Sequence, residues 1–105
     1  MRLFLPFLLL LTVLPAKAEQ VEINCPGLST VEMRFCASQK WEESSQALKK
    51  RLSPATMNKW RAATQDVCAA AYAPYRKGTI YPQMIVGCDD RLNRVLLKEL
   101  QGLGD

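Results

Sequence analysis

The four cysteines, Cys25, Cys36, Cys68 and Cys88, have the clearest chemistry in this chain. Their gaps contain no close Cys-x₂₋₄-Cys pair of the kind that holds structural zinc. The chain has no histidine, so it cannot form a Ser-His or Cys-His pair and lacks the most common general base. Cysteines in a small exported chain typically form disulfides. The sequence therefore predicts two disulfides, no metal site and no other cofactor.

Two adjacent carboxylates, Asp89 and Asp90, are the remaining candidates for acid-base chemistry. Neighbours in a helix point about 100° apart, so the two carboxylates make a poor acid and base pair. We interpret them as part of a solvated helix face. The chain also has no glycine-rich phosphate loop, and we do not expect it to be an enzyme.

Residues 1–18 have the pattern of a secretory signal peptide. Arg2 supplies the positive end, residues 3–14 form a short apolar run, and Ala16-Lys17-Ala18 is a cleavage site. The run is too short to span a membrane, and no second one follows. We therefore expect a single periplasmic or secreted domain over residues 19–105, without a membrane span in its mature form.

The way this signal is cleaved determines whether the mature chain carries a lipid anchor and what its net charge is. A lipid anchor on Cys25 is the alternative to a free mature chain, but residues 21–24 lack the small apolar approach of a lipoprotein signal. Loss of Arg2 and Lys17 lowers the net charge from +4 to +2. A charge this small gives no reason to expect nucleic acid as a partner.

A capping box begins the first of three predicted helices. In Ser29-x-x-Glu32 the serine oxygen accepts a backbone N–H of the first turn, and the glutamate reaches back to the cap. Inward positions then recur at steps of three and four, which predicts a helix over 30–52. Its last turn carries Lys49-Lys50-Arg51, interpreted as solvated cations at the carbonyl end of the helix dipole; contact with an anionic glycan, lipid or protein is the alternative. The predicted inward positions are Met33, Ala37, Trp41, Ser44, Leu48 and Leu52.

The second helix is predicted over 54–72, with Ser53 as its cap and Pro54 at its first position. Because the connection is short, this helix must lie antiparallel to the first. We interpret Trp41 and Trp60 as core residues and not as ligand platforms. The predicted inward positions are Met57, Trp60, Thr64, Val67 and Ala71.

A loop over 73–81 separates this helix from a third one, which Pro82 opens and which runs to about residue 101. Its predicted stripe consists of Ile85, Cys88, Leu92, Val95 or Leu96, and Glu99 or Leu100. The predicted fold is all-α, a small three-helix antiparallel bundle stapled by two disulfides. Each disulfide would stabilise it by about 3 kcal/mol in the chain-entropy model.

The heights of the cysteines along the helices favour one pairing. Cys25 can fold back beside Cys36, and Cys68 and Cys88 lie at matching heights on antiparallel neighbours. This favours Cys25–Cys36 and Cys68–Cys88. The alternative is Cys36–Cys68, which also match in height, with Cys25–Cys88, since four cysteines allow three connectivities.

The order of these residues resembles the LprI-like domain of bacterial lysozyme inhibitors, which are small exported helical proteins with four cysteines. The resemblance covers nearly all of residues 19–105. It consists of a hydroxyl-x-x-Glu-Met-x-x-Cys segment, an aromatic and a leucine after it, a tryptophan in the second helix, a turn, and the other cysteines. The residues that carry it are Ser29, Glu32, Met33, Cys36, Cys25, Trp41, Leu48, Trp60, Cys68, Gly78, Thr79 and Cys88.

The chain departs from the family pattern at several polar positions. Thr64 and Gln65 stand where the family usually carries Arg-Asp, and Lys49 replaces an asparagine. After the last cysteine, Asn93 and Leu96 replace a threonine and an arginine. If the family's residues form a buried network, this chain has replaced it; if they serve function, the function of this chain has diverged.

The resemblance implies a lysozyme inhibitor that pushes a loop into the glycosidase cleft, where two carboxylates lie. A cation or hydroxyl on the 73–81 loop would bind them by charge-assisted hydrogen bonds. The candidate partner-binding residues are Arg76, Lys77 and Thr79, flanked by Tyr75 and Tyr81 as aromatic anchors.

Two other interpretations stay open. The loop can be a simple connector. The protein can also be a non-catalytic cell-envelope binding or scaffolding module whose partner is another exported protein or peptidoglycan. The basic run at residues 49–51 favours the interpretation as a cell-envelope module.

Overall fold

The computed structural model describes residues 23–102, so the predicted signal peptide lies outside the described residues. Those residues contain helices and no β-strand, which confirms the all-α prediction. None of these helices is both long enough and apolar enough to cross a membrane. The elements are α1 (Thr30–Lys49), α2 (Pro54–Ala71), a 3₁₀ turn (Ala73–Tyr75) and α3 (Tyr81–Gln101).

The predicted capping box forms at the start of α1. Glu32 Oε1 accepts the backbone N–H groups of Leu28 and Ser29 at 3.0 and 3.1 Å, and Ser29 Oγ accepts that of Glu32 at 3.1 Å. These bonds to backbone N–H groups hold the pKa of Glu32 below its usual value. Gly27 has φ +89°, and a Cβ there would lie 2.7 Å from the Cβ of Glu32. The turn into the helix therefore requires glycine at this position.

The favoured disulfide pairing is confirmed. Cys25 folds back onto α1 and bonds Cys36, with the two Cα atoms 5.6 Å apart. Cys68 of α2 bonds Cys88 of α3 across a Cα separation of 5.8 Å. The second bond is the one that joins two helices.

The contacts between helices show that the chain runs up, down and up. Arg34 near the start of α1 donates to the carbonyl of Thr79 beside the start of α3, and Arg51 after α1 donates to the carbonyl of Leu100 near the end of α3. Thus α1 and α3 are parallel. Trp60 of α2 bonds Asn93 of α3 and Cys68 bonds Cys88, so α2 is antiparallel to α3, as predicted, and α3 packs more extensively on α1 than α2 does.

Polar residues make up much of the interior. The buried apolar residues are Cys36, Leu48, Met57, Cys68 and Cys88; the buried polar ones are Ser44, Ser45, Thr64, Asp89, Asp90 and Asn93. The prediction that Asp89 and Asp90 lie on a solvated face is wrong, because their exposed fractions are 7% and 5%. They are buried because α2 covers the side of α3 that carries Asp89 and α1 covers the side that carries Asp90.

The second-helix stripe also needs a correction. Val67, predicted to point inward, is 55% exposed, and Ala71 is exposed as well. Cys68 takes the inward position because it must reach Cys88. In α3 the stripe continues through Leu96 and Leu100, which are half-buried, and not through the exposed alternatives.

Asn93 links all three helices. Its Oδ1 accepts from Trp60 Nε1 at 2.7 Å, and its Nδ2 donates to Ser44 Oγ at 3.1 Å and to Ser45 Oγ at 3.2 Å. Ser44 Oγ in turn donates to the carbonyl of Trp41 at 3.1 Å. Asn93 is 3% exposed, so water does not replace these bonds. The amide of Asn93 thus anchors a buried hydrogen-bond network that connects the three helices.

Replacing Asn93 by alanine should lower the free energy of unfolding by about 2 kcal/mol or more, because the indole N–H of Trp60 loses its buried partner. Urea unfolding followed by circular dichroism measures this. Asn58→Ala, at an exposed site on α2, is the control and should stay within about 0.5 kcal/mol of the parent. Equal effects of the two substitutions would contradict a structural role for the network.

Candidate functional site

The 73–81 loop is folded by its own backbone. Successive turns join the N–H of Tyr75 to the carbonyl of Tyr72, that of Arg76 to Ala73, and that of Gly78 to Tyr75, at 2.9 to 3.1 Å. The N–H of Tyr81 then reaches the carbonyl of Gly78 at 3.3 Å. Four consecutive turns give this segment one defined path.

The flanking elements also hold the loop. The Cys68–Cys88 disulfide ties the helix before it to the helix after it. Arg34 of α1 donates to the carbonyl of Thr79 at 3.2 Å, and Arg91 of α3 donates to the hydroxyl of Tyr72 at 2.9 Å. All three helices therefore fix the position of the loop.

Four of the five predicted partner-binding residues are exposed on this loop, namely Tyr75, Arg76, Lys77 and Thr79. The side chains of Arg76 and Lys77 form no hydrogen bond or ion pair with the described part of the chain. Tyr75 is 53% exposed, and its ring centroid lies 6.4 Å from that of Tyr72. Tyr81 differs from the others, because it is half-buried and begins α3. The loop thus presents two cations beside one aromatic ring.

A buried charged cluster was missed by the sequence analysis. Asp89 lies against α2, where Thr64 and Arg61 are its polar neighbours. Burial raises the pKa of Asp89, while the nearby hydroxyl of Thr64 and the attraction of Arg61 partly oppose this. Arg61 stacks on Trp41, its guanidinium carbon 5.3 Å from the ring centroid. The available signal was the predicted inward position of Thr64, a polar residue on a face that was expected to be buried.

The neighbouring carboxylate faces a different helix. The carboxylate of Asp90 accepts one bifurcated hydrogen bond from Arg94 Nε, at 2.9 Å to Oδ1 and 3.1 Å to Oδ2. Arg94 also donates to the carbonyl of Lys40 at 3.1 Å and lies 3.5 Å from Glu43. Asp89 and Asp90 therefore serve two separate interfaces and do not converge on one point.

The described residues offer no metal centre. All four cysteines are in disulfides, and no group of three His, Cys, Asp or Glu side chains within residues 23–102 is placed to hold a metal ion.

A second positively charged surface lies at the opposite end of the bundle from the loop. A groove of about 490 Å³ separates the C-terminal parts of α1 and α3, and Lys50, Arg51, Arg94 and Lys98 line it together with Ala47, Leu97 and Gln101. The exposed Lys49 lies beside this groove in the chain. We call this surface the basic end.

Comparison with protein-family models, with curated proteins and with solved structures finds no match to the chain. The LprI-like resemblance stays a prediction.

The raised pKa of Asp89 predicts a pH effect on stability. Above the ordinary aspartate pKa of about 3.9, the folded protein keeps a proton that the unfolded chain has released. The contribution of Asp89 to the free energy of unfolding is therefore full at lower pH and is lost as the pH rises through its folded-state pKa. Relative to an Asp89→Asn variant, the parent protein should lose stability as the pH is raised from about 3.9 toward neutrality.

Urea unfolding of both proteins across this range measures the difference. Asp66→Asn removes an exposed carboxylate of α2 and is the matched control. A parent-minus-variant difference that stayed constant or grew with pH for Asp89→Asn would contradict the assignment.

Proposed function

We propose that this protein is an exported, non-catalytic inhibitor of lysozyme that places the 73–81 loop in the cleft of the enzyme. The two disulfides fit an exported protein, since such bonds persist in oxidising compartments. The family resemblance supplies lysozyme as the target.

The observation that carries the proposal is the presentation of Arg76 and Lys77. Both cations project from a loop whose backbone is fixed by consecutive turns and by Arg34, and neither is used by the described part of the fold. A loop held in one conformation loses little entropy on binding. Cations that already have an internal role would not be available to a partner.

The cleft of a glycosidase offers the complementary chemistry. Two carboxylates flank the scissile bond, and a guanidinium or ammonium binds them through charge-assisted hydrogen bonds. Tyr75 would supply apolar contact at the edge of the cleft, as aromatic anchors do in protein interfaces. Animal lysozymes are commonly basic, so the positive charge of the inhibitor gives no long-range attraction, and affinity must come from contacts within the cleft.

The double substitution Arg76→Ala and Lys77→Ala should weaken inhibition at least tenfold, because it removes charge-assisted bonds each worth about 1.5–3 kcal/mol. The assay is lysis of bacterial cell walls by animal-type, goose-type and phage-type lysozymes, titrated with the oxidised mature chain. Circular dichroism verifies that the variant keeps its helices.

The matched control is Lys49→Ala with Lys50→Ala, which removes the same charge from the basic end and should leave inhibition unchanged. Reduced and alkylated protein should not inhibit, since the loop then loses the Cys68–Cys88 bond. Inhibition that survives the loop substitution would exclude the loop, and absence of inhibition of every lysozyme class would exclude the function.

The basic end favours a second candidate function, a cell-envelope module that binds peptidoglycan or another anionic partner. Lys50 and Lys98 face one groove from two helices, next to the exposed Lys49. Arg51 is held there by its bond to the carbonyl of Leu100 at 3.1 Å. Cations converging from two elements form a stronger anion-binding surface than a run on one helix end.

Under this second function, insoluble peptidoglycan should retain the protein at low salt and release it as added salt screens the exposed charges. Lys50→Ala with Lys98→Ala should lower the bound fraction at least fivefold in a pull-down. The loop variant Arg76→Ala with Lys77→Ala serves as the equal-charge comparison. Equal losses for both variants would mean that net charge alone causes retention.

A further inference from the structure

A second cavity lies between the N-terminal halves of α1 and α3, apart from both surfaces described above. Its volume is about 380 Å³, which falls in the lower part of the range of small-ligand sites. No residue of α2 lines it. We call it the α1–α3 pocket, and the residues that matter here are Met33, Lys40, Gln83, Gly87, Asp90 and Arg91.

Gly87 leaves this pocket open. Glycine inside a helix costs about 1 kcal/mol relative to alanine, so its use in α3 calls for a reason. A Cβ at this position would meet only Arg91 Nη1, at 3.3 Å, and no atom of another helix within 4 Å. Close packing of helices therefore does not require the glycine. The space that a side chain at position 87 would occupy is instead part of the pocket, next to the guanidinium of Arg91.

The charge that is free to act in the pocket is positive. Asp90 is the carboxylate in the lining, and both of its oxygens accept from Arg94 Nε at 2.9 and 3.1 Å. Lys40 on α1 and Arg91 on α3 form no ion pair with residues 23–102. Arg91 is held in place by its bond to Tyr72 at 2.9 Å. Two cations on facing helices are thus available to one anionic group.

Gln83 adds a polar group that lacks a strong partner. Its Nε2 lies 3.9 Å from the sulfur of Met33, a weak acceptor, and its Oε1 is buried without a hydrogen bond. Rotation about the last torsion of glutamine is soft, so the amide can turn toward a ligand. A ligand N–H would give Oε1 the bond it lacks.

We propose that the α1–α3 pocket binds the free C-terminal end of a peptide. Such an end carries a carboxylate for Lys40 and Arg91, and the N–H of its last residue, a few ångströms away, suits Gln83 Oε1. Met33 and Ala37, which also lines the pocket, would provide apolar contacts for the last side chain. A phosphate or a sugar acid supplies the negative charge without the adjacent N–H and apolar group.

The test is an NMR titration of the oxidised mature chain with acetyl-trialanine that has a free carboxylate, with the C-terminal amide of the same peptide, and with acetate. The free peptide should shift the backbone resonances of Lys40, Gln83, Gly87 and Arg91 and bind at least tenfold more tightly than the other two. An amide that binds equally well, or acetate that binds as tightly as the peptide, would overturn the proposal. So would resonances that do not move at millimolar peptide.

Gly87→Ala separates binding from folding. Its methyl group must displace the end of Arg91 by a few tenths of an ångström, while alanine favours the helix. We expect peptide affinity to fall at least fivefold with a melting temperature equal to or above that of the parent. Lys40→Ala should reduce affinity similarly, and Lys77→Ala, in the loop, should not. Unchanged affinity in a folded Gly87→Ala variant would contradict the site, whatever the outcome of the lysozyme assay.

Discussion

The Cys68–Cys88 disulfide is the interaction on which most of this fold depends. It fixes α2 against α3 at one height, and the polar contacts between these helices are in register with it: Asp89 meets Thr64, and Asn93 meets Trp60. The same bond closes the ends of the loop that carries Arg76 and Lys77. Few apolar side chains of the described residues are fully buried, so a covalent link between two helices contributes much to the geometry of the rest.

Because few apolar side chains are buried, polar groups make up much of the interior. Ser44, Ser45 and Asn93 fill space that larger domains give to leucine and isoleucine, and their hydrogen bonds connect all three helices. Buried amides and hydroxyls are directional, so they specify which helix faces meet, whereas apolar surfaces tolerate sliding. Asn93 thus selects one arrangement of the bundle as well as stabilising it.

The sequence was informative wherever a local signal determines structure. The capping box at Ser29 and Glu32, the Ser53-Pro54 start of α2 and the matching heights of the cysteines all depend on short spacings, and the structure confirms them. The two failures have different causes. The burial of Asp89 depends on Arg61 of another helix, which the sequence does not place, whereas Asp90 pairs with Arg94 four residues later in the same helix, a local signal that the sequence analysis did not use.

The candidate sites also differ in whether a local signal in the sequence predicts them. The residue types of the 73–81 segment, including its proline and glycine, were enough to predict the loop. The structure places four of its five predicted contact residues on the surface, while Tyr81 is part of α3. The α1–α3 pocket could not be found from the sequence, because it depends on two helices that are distant in the chain and parallel in space. Gly87 gave the only local sign, and a glycine in a helix has several possible explanations.

The parallel arrangement of α1 and α3 has a consequence for specificity. Their groove carries Lys40 and Arg91 near one end and Lys50 and Lys98 near the other, and Arg94 lies between them with its charge held by Asp90 and Glu43. This compensated centre divides the positive charge of the groove into two separate sites instead of one continuous stripe. An extended polyanion would have to cross two carboxylates to occupy both ends. The groove is therefore better suited to short anionic groups at each end, and the end that carries Arg91 is joined to the start of the loop by the bond from Arg91 to Tyr72.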